Sequence, residues 1–269
     1  MPPDESHAEI RALLSRTDPA DLRRGLSLLE EEIARTGARE SRPLFEILAS
    51  VFYLDPLDRP ELVPILDEAV SLVVGFGDWV IPALVDHLEA GDVKAQLAVG
   101  HALGRIGADA VEPLLAKYDR LADPSVRPFV LYALGKIASP RVVRALPLML
   151  EALGSPDLET RDTAARALGR MADSIPPDGM PPDLRRTAVE RLHATLADPN
   201  AGIRAKALRS LGKMAARGHM TDEERGILGE VCRRLLGQDE AFDWDRAYIV
   251  RKEAETALQA AAAGAAVAA

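Results

Sequence analysis

The side chains able to do chemistry are few and poorly placed for catalysis. Five histidines, His7, His87, His101, His193 and His219, stand far apart, and none pairs with another at metal-ligand spacing. Cys232 is the sole cysteine, so neither an intramolecular disulfide nor a zinc-binding cysteine cluster can form. Its setting, Glu230-Val231-Cys232-Arg233-Arg234, reads as helix, where a lone cysteine serves as a small packing residue. The neighbouring arginines are the feature that would activate it. The chain has no Walker-type loop, no Gly-x-Gly-x-x-Gly after a strand and no Gly-x-Ser-x-Gly elbow. Carboxylate pairs are numerous, as on any solvated helix face, and nothing singles out two for acid–base work. No catalytic residue, metal or cofactor is expected.

Binding chemistry is more legible. Arg105, Lys136, Arg170 and Lys213 recur, each directly after a repeated tripeptide. Four residues before them stand His101, Tyr132, Arg166 and Arg209, and three before those Ala98, Phe129, Thr163 and Lys206. Steps of three and four put each set on one stripe of a helix. Cations with interleaved aromatics suit capture of an acidic ligand.

The tripeptide is Ala-Leu-Gly, at Ala102-Leu103-Gly104, Ala133-Leu134-Gly135 and Ala167-Leu168-Gly169, with a variant Ser210-Leu211-Gly212 and a degenerate Ala257-Leu258-Gln259. Gln96, Arg127, Arg161, Arg204 and Arg251 lie eight residues before its last position. Asp92, Asp123 and Asp157 lie four residues earlier still, whereas Asp198 and Asp245 precede their arginines by six. Pro82, Pro113 and Pro147 keep register as well. Each copy reads as two helices. The second carries apolar residues on one face, as in Ala95, Val99, Leu103 and Ile106, or Ile203, Ala207, Leu211 and Met214. The aspartate is expected to cap this second helix and to pair with the arginine of its own or the next copy, forming a ladder. The small residues of the tripeptide are expected to let neighbouring helices approach closely.

The pattern Pro…Asp-x-x-Val-Arg-x-x-Ala-x-x-Ala-Leu-Gly-x-Ile resembles HEAT repeats, especially the HEAT-like type named after phycobilisome lyases. Val126-Arg127, Ala133-Leu134-Gly135 and Ile137 match it best, and the likeness covers about residues 78–217 well and 218–262 loosely. The resemblance implies an all-α fold, a right-handed α-solenoid of HEAT-like helix pairs in an armadillo-like α-α superhelix. Residues 1–77 are expected to form an N-terminal helical cap with degenerate repeats, with helices at 8–15, 20–36, 41–53 and 61–74. Residues 78–262 form the solenoid and 263–269 an Ala-rich tail. Two insertions break the period. One, at 174–183, has four prolines that favour an extended loop. The other, at 237–245, carries Phe242 and Trp244, with Trp244 expected to pack on the last repeat. HEAT-like hydroxylases that bind iron use His-Glu pairs, and no His-Glu dipeptide occurs here.

The charge is segregated. The second helices of the four better copies hold twelve Lys and Arg against only Glu159 and Asp162, in a chain of net charge −9. The expected function is a non-catalytic scaffold gripping an acidic segment of a protein partner on a basic concave face. Its site is His101, Arg105, Phe129, Tyr132, Lys136, Arg166, Arg170, Lys206, Arg209 and Lys213. Two alternatives follow from the resemblance: nucleic-acid binding or base excision, as in HEAT-like alkylpurine DNA glycosylases, and a bilin-lyase-like or cofactor-assembly role. The acidic total charge and the lack of an evident catalytic Asp beside a Trp-lined groove weigh against the first. The polar, acidic N-terminus and the absence of a stretch of about 20 apolar residues point to a cytoplasmic protein that does not cross a membrane.

Overall fold

Short polar residues decide where the helices begin. In a computed structural model describing residues 3–37, 41–240 and 244–265, Asp92 Oδ1 accepts from the N–H groups of Lys94 and Ala95 at 2.9 and 3.0 Å. Asp123 caps at Ser125, and Asp157 caps at Thr160 through both backbone and hydroxyl. Asn200, four residues before Arg204, takes the same place in the fourth copy, accepting from Gly202 and Ile203. These bonds satisfy N–H groups that a helix start leaves unpaired.

Fourteen α-helices result among the described residues, and they contain no strand beyond one isolated bridge between Leu236 and Trp244. They are α1 (Pro3–Leu14), α2 (Pro19–Thr36), α3 (Arg42–Ala49), α4 (Val63–Leu72), α5 (Val80–His87), α6 (Val93–Ile106), α7 (Val111–Arg120), α8 (Arg127–Leu134), α9 (Leu146–Ala152), α10 (Leu158–Ser174), α11 (Pro182–Thr195), α12 (Ala201–Ala216), α13 (Asp222–Leu235) and α14 (Tyr248–Ala265). The helices expected in the first 77 residues are present. Two of them, 41–53 and 61–74, are partly 3₁₀, at Ser50–Tyr53, Pro60–Leu62 and Val73–Phe76.

The chain forms two compact units, Met1–Lys136 and Ile137–Ala269. In the first, α6 packs on α8, α5 on α7, and each of α5 and α7 on its following partner. In the second, α10, α12 and α14 stack in turn, while α9, α11 and α13 back them. First helices thus flank first helices or their own partners, and second helices face second helices.

The expected apolar face is the buried one. Ala95, Val99, Leu103, Val130, Leu134, Leu168, Met171, Leu211 and Met214 are all buried, and only Ile106 of that set is half-buried. Close approach is visible at the marker glycines. A Cβ on Gly104 would meet the Lys136 backbone at 3.1–3.2 Å, and one on Gly169 would meet Ser210 Cα at 3.0 Å. Ser210 in turn donates its hydroxyl to the Ala165 carbonyl at 2.6 Å.

The 174–183 insertion departs from a wholly extended loop. Pro177–Gly179 makes a single 3₁₀ turn, and Pro182 starts α11, where its missing N–H costs nothing. Buried Ile175 and Met180 pin the segment down. Trp244 packs on the last helix as expected, with the Arg251 guanidinium 4.4 Å from its ring centroid. Phe242 and residues 266–269 lie outside the described residues.

Candidate partner-binding site

The repeated arginines do two structural jobs. Arg161, Arg204 and Arg251 each donate to backbone carbonyls five and six residues upstream, tying the inter-helix turn to the second helix. Arg161 also reaches Asp198 at 2.8 Å, and Arg204 holds Asp245 with two nitrogens at 2.8 and 2.9 Å. The ladder therefore exists in residues 137–269. It runs through Asp198 and Asp245, each six residues before its own arginine, while the residue four before acts as cap in the third and fourth copies, and Asp245 itself accepts the Ala247 N–H in the fifth. Burial by itself would raise the Asp245 carboxyl, but the Arg204 guanidinium and the Ala247 N–H outweigh it and hold the group below the usual carboxylate range. In the first unit Gln96 donates instead to the Leu88 carbonyl, and Arg127 stacks over Tyr118 at 5.5 Å.

The expected site residues fall into two sets, one in each unit. In the first, Tyr132 and His101 share a 2.5 Å hydrogen bond, and Lys136 lies 5.2 Å above the Tyr132 ring. Arg105 is engaged with Asp67 and Ser71 of α4. Phe129 is half-buried. In the second unit, Arg166 and Lys206 share Asp162. Arg209 chelates Glu253 at 2.5 and 3.1 Å, and Lys213 meets Asp173 at 2.5 Å. Arg170 is half-buried.

Sequence reasoning counted Asp162 among the acids of the second helices without giving it a partner, and left Arg217, Asp173 and Glu253 out of the site. Arg217 joins Lys213 on Asp173 at 3.1 Å. Asp162, Asp173 and Glu253 supply carboxylates to a face read as purely basic. Glu253 stands two residues after Arg251, where Lys206 stands relative to Arg204, so extending the alignment to the fifth copy would have found it.

The acids lie lower than the cations they hold. The Asp162 side chain is 12% exposed against 40% for Arg166, and Glu253 is 10% exposed against 50% for Arg209. A shared carboxylate also neutralises only one of its two cations. Five cations, Arg166, Lys206, Arg209, Lys213 and Arg217, stand over three carboxylates, so the outer layer of this face keeps a positive excess. Among the described residues no group of His, Cys, Asp and Glu is placed to hold a metal, and no helix is long and apolar enough to cross a membrane.

Residues 81–146 match the family model for HEAT repeats, and residues 124–171 match that for a HEAT-like repeat. Among solved structures, the archaeal HEAT-like repeats protein from Thermococcus onnurineus NA1 is similar at 17% identity over 96% of this chain and 97% of that one, with a TM-score of 0.51. Kap121p is similar at 12% identity over 96% of this chain but only 30% of that one, with a TM-score of 0.61. At such identities the likeness speaks to the fold alone. No curated protein shows significant similarity in sequence.

Proposed function

Because the chain is a HEAT-repeat protein with an armadillo-like α-solenoid fold, we propose that it is a non-catalytic binding scaffold whose second-helix face in residues 158–217 takes an acidic segment of a protein partner. The observation carrying this reading is the sharing of carboxylates. Asp162 and Asp173 each pair with two cations, which leaves a surplus of positive charge on this face. Such a layer is preorganised, and it favours an anionic ligand through encounter rate and register.

The same geometry selects the variants for a test. Reversing Arg209 would leave Glu253, a buried acid, beside a new acid and damage the fold. Arg166 and Arg217 are different, because Lys206 and Lys213 remain to hold Asp162 and Asp173. The double variant Arg166→Gln/Arg217→Gln should keep the wild-type melting temperature. It should weaken binding of a fluorescein-labelled Asp/Glu-rich peptide about tenfold, given up to about 1 kcal/mol for each exposed ion contact. Binding should also fall steeply with added salt. Peptide affinity unchanged in the double variant would reject the reading. So would tighter, equally salt-sensitive binding of duplex DNA, which would favour the nucleic-acid alternative.

A further inference from the structure

The positive excess of the second unit is concentrated at two points of its second-helix face. On α10, Asp162 and Asp173 stand eleven residues apart. Eleven residues bring a helix about 20° past three full turns, so the two carboxylates lie on one stripe. On α12, Lys206, Lys213 and Arg217 follow at i, i+7 and i+11, again on one stripe. The two helices touch closely at Gly169 and Ser210, where a Cβ on the glycine would lie 3.0 Å from Ser210 Cα. Ion pairs cross on either side of that contact. Before it, Lys206 reaches Asp162, which Arg166 also approaches at 3.4 Å. After it, Lys213 and Arg217 reach Asp173 at 2.5 and 3.1 Å. The contacts keep chain order, so α10 and α12 run in the same direction.

Each point is short of one negative charge, with two cations over one carboxylate. Arg209 adds no excess between them, because Glu253 of α14 takes it one to one. Arg170 stands three residues before Asp173 and so lies at the second point. Eleven residues span about 16 Å along a helix. That is roughly twice the screening length of about 8 Å at physiological salt, so each point attracts its own anion and one carboxylate cannot serve both. The cations are already fastened to their acids, and an arriving anion has little left to order.

We infer that the face reads two carboxylates of the partner segment, about 16 Å apart and lying along α10 and α12, one at the Asp162 cluster and one at the Asp173 cluster. This rests on the acidic-segment reading and adds a ruler to it. Recognition then depends on the separation of two acids, and a high density of negative charge is not by itself enough.

The test uses the whole chain, labelled with nitrogen-15, and three capped alanine-based helical peptides. Each peptide carries two glutamates and the same net charge. The glutamates are seven, eleven or fourteen residues apart, which sets them on one side of the peptide at about 10, 16 and 21 Å. Titration at low salt is followed through the arginine Nε–H resonances, assigned with Arg166→Gln and Arg217→Gln. The eleven-residue peptide is expected to bind at least about fivefold tighter than the other two, the worth of one exposed ion contact, and to shift Arg166 and Arg217 together. Arg166→Gln leaves Lys206 on Asp162, and Arg217→Gln leaves Lys213 on Asp173, so both variants should keep the wild-type melting temperature. Either one should bring the eleven-residue peptide down to the level of the others. Equal affinity for all three spacings would overturn the inference and leave the acidic-segment reading standing, since charge alone would then explain binding. A preference for seven or fourteen residues would overturn it too. So would a preference for eleven that survives both substitutions, by placing the contact elsewhere. If none of the three peptides shifts Arg166 or Arg217, the inference falls, and the acidic-segment reading falls with it only if the Asp/Glu-rich peptide also fails to bind.

Discussion

At the scale of single residues, environment overrides sequence neighbours. Cys232 is flanked by Arg233, which alone would lower its thiol pKa and make it reactive. The fold instead buries the side chain completely in α13, and that burial pushes the thiol up to about 12, with Arg233 opposing only weakly. Native protein at pH 8 is therefore expected to resist iodoacetamide and to react stoichiometrically once unfolded in urea, with adduct mass as the readout. Rapid labelling of folded protein would contradict the burial. The cationic positions show the converse. Arg166 and Arg209 look alike in the repeat, yet one shares its acid with Lys206 and the other alone holds Glu253. Equivalent register does not make equivalent function.

At the scale of elements, the Ala-Leu-Gly marker is a statement about distance between helices. Gly169 brings α10 against α12 so closely that a methyl group would collide with the Ser210 backbone and side chain. Gly169→Ala should therefore destabilise the protein by about 1–3 kcal/mol through overpacking, despite the roughly 1 kcal/mol that Ala gains over Gly in helix propensity. Gly226 in α13 has nothing within 4 Å of its notional Cβ, so Gly226→Ala should stabilise by about 0.5–1 kcal/mol. Chemical denaturation of the two variants checks both signs. Stabilisation by Gly169→Ala would show that α10 and α12 are not in contact there. The ladder belongs to this scale too: capping at one turn position and arginine capture two residues earlier are separate tasks, performed in the fourth copy by Asn200 and Asp198.

At the scale of the whole molecule, acid sensitivity is built in. Hydrogen bonds hold Asp55, Glu61 and Asp123 below their ordinary pKa values, from Lys94, from the Glu61 N–H and from Ser125. Burial would raise Asp173, Glu224 and Asp245, but their arginine and lysine partners more than offset it. A carboxylate depressed in the folded state stabilises it above the unfolded pKa, and that contribution is lost as pH falls through the folded value. The denaturation midpoint should hold from neutral pH down to about pH 5 and then drop below about pH 4, in the range where unfolded carboxylates take up protons first. A midpoint independent of pH between 5 and 3 would show that these pairs contribute nothing net.

The sequence by itself determined the helical repeat, its apolar face and the close-packing role of its glycines. Those features follow from local periodicity, capping chemistry and side-chain size, all written in nearby residues. Tertiary structure decided which charges remain available, because Asp162, Asp173 and Glu253 reach cations about 40 residues away in sequence, or in neighbouring turns, and no local pattern announces such partners. It also decided where the first unit leaves an apolar cavity. Val63 and Leu66 read as ordinary core residues of a helix, yet Val63 stands exposed and Leu66 half-buried beside the buried Val70, around the cavity that α4, α6 and the turn at Leu57 form. Burial and pairing are properties of what folds alongside a residue, and a chain read one segment at a time does not contain them.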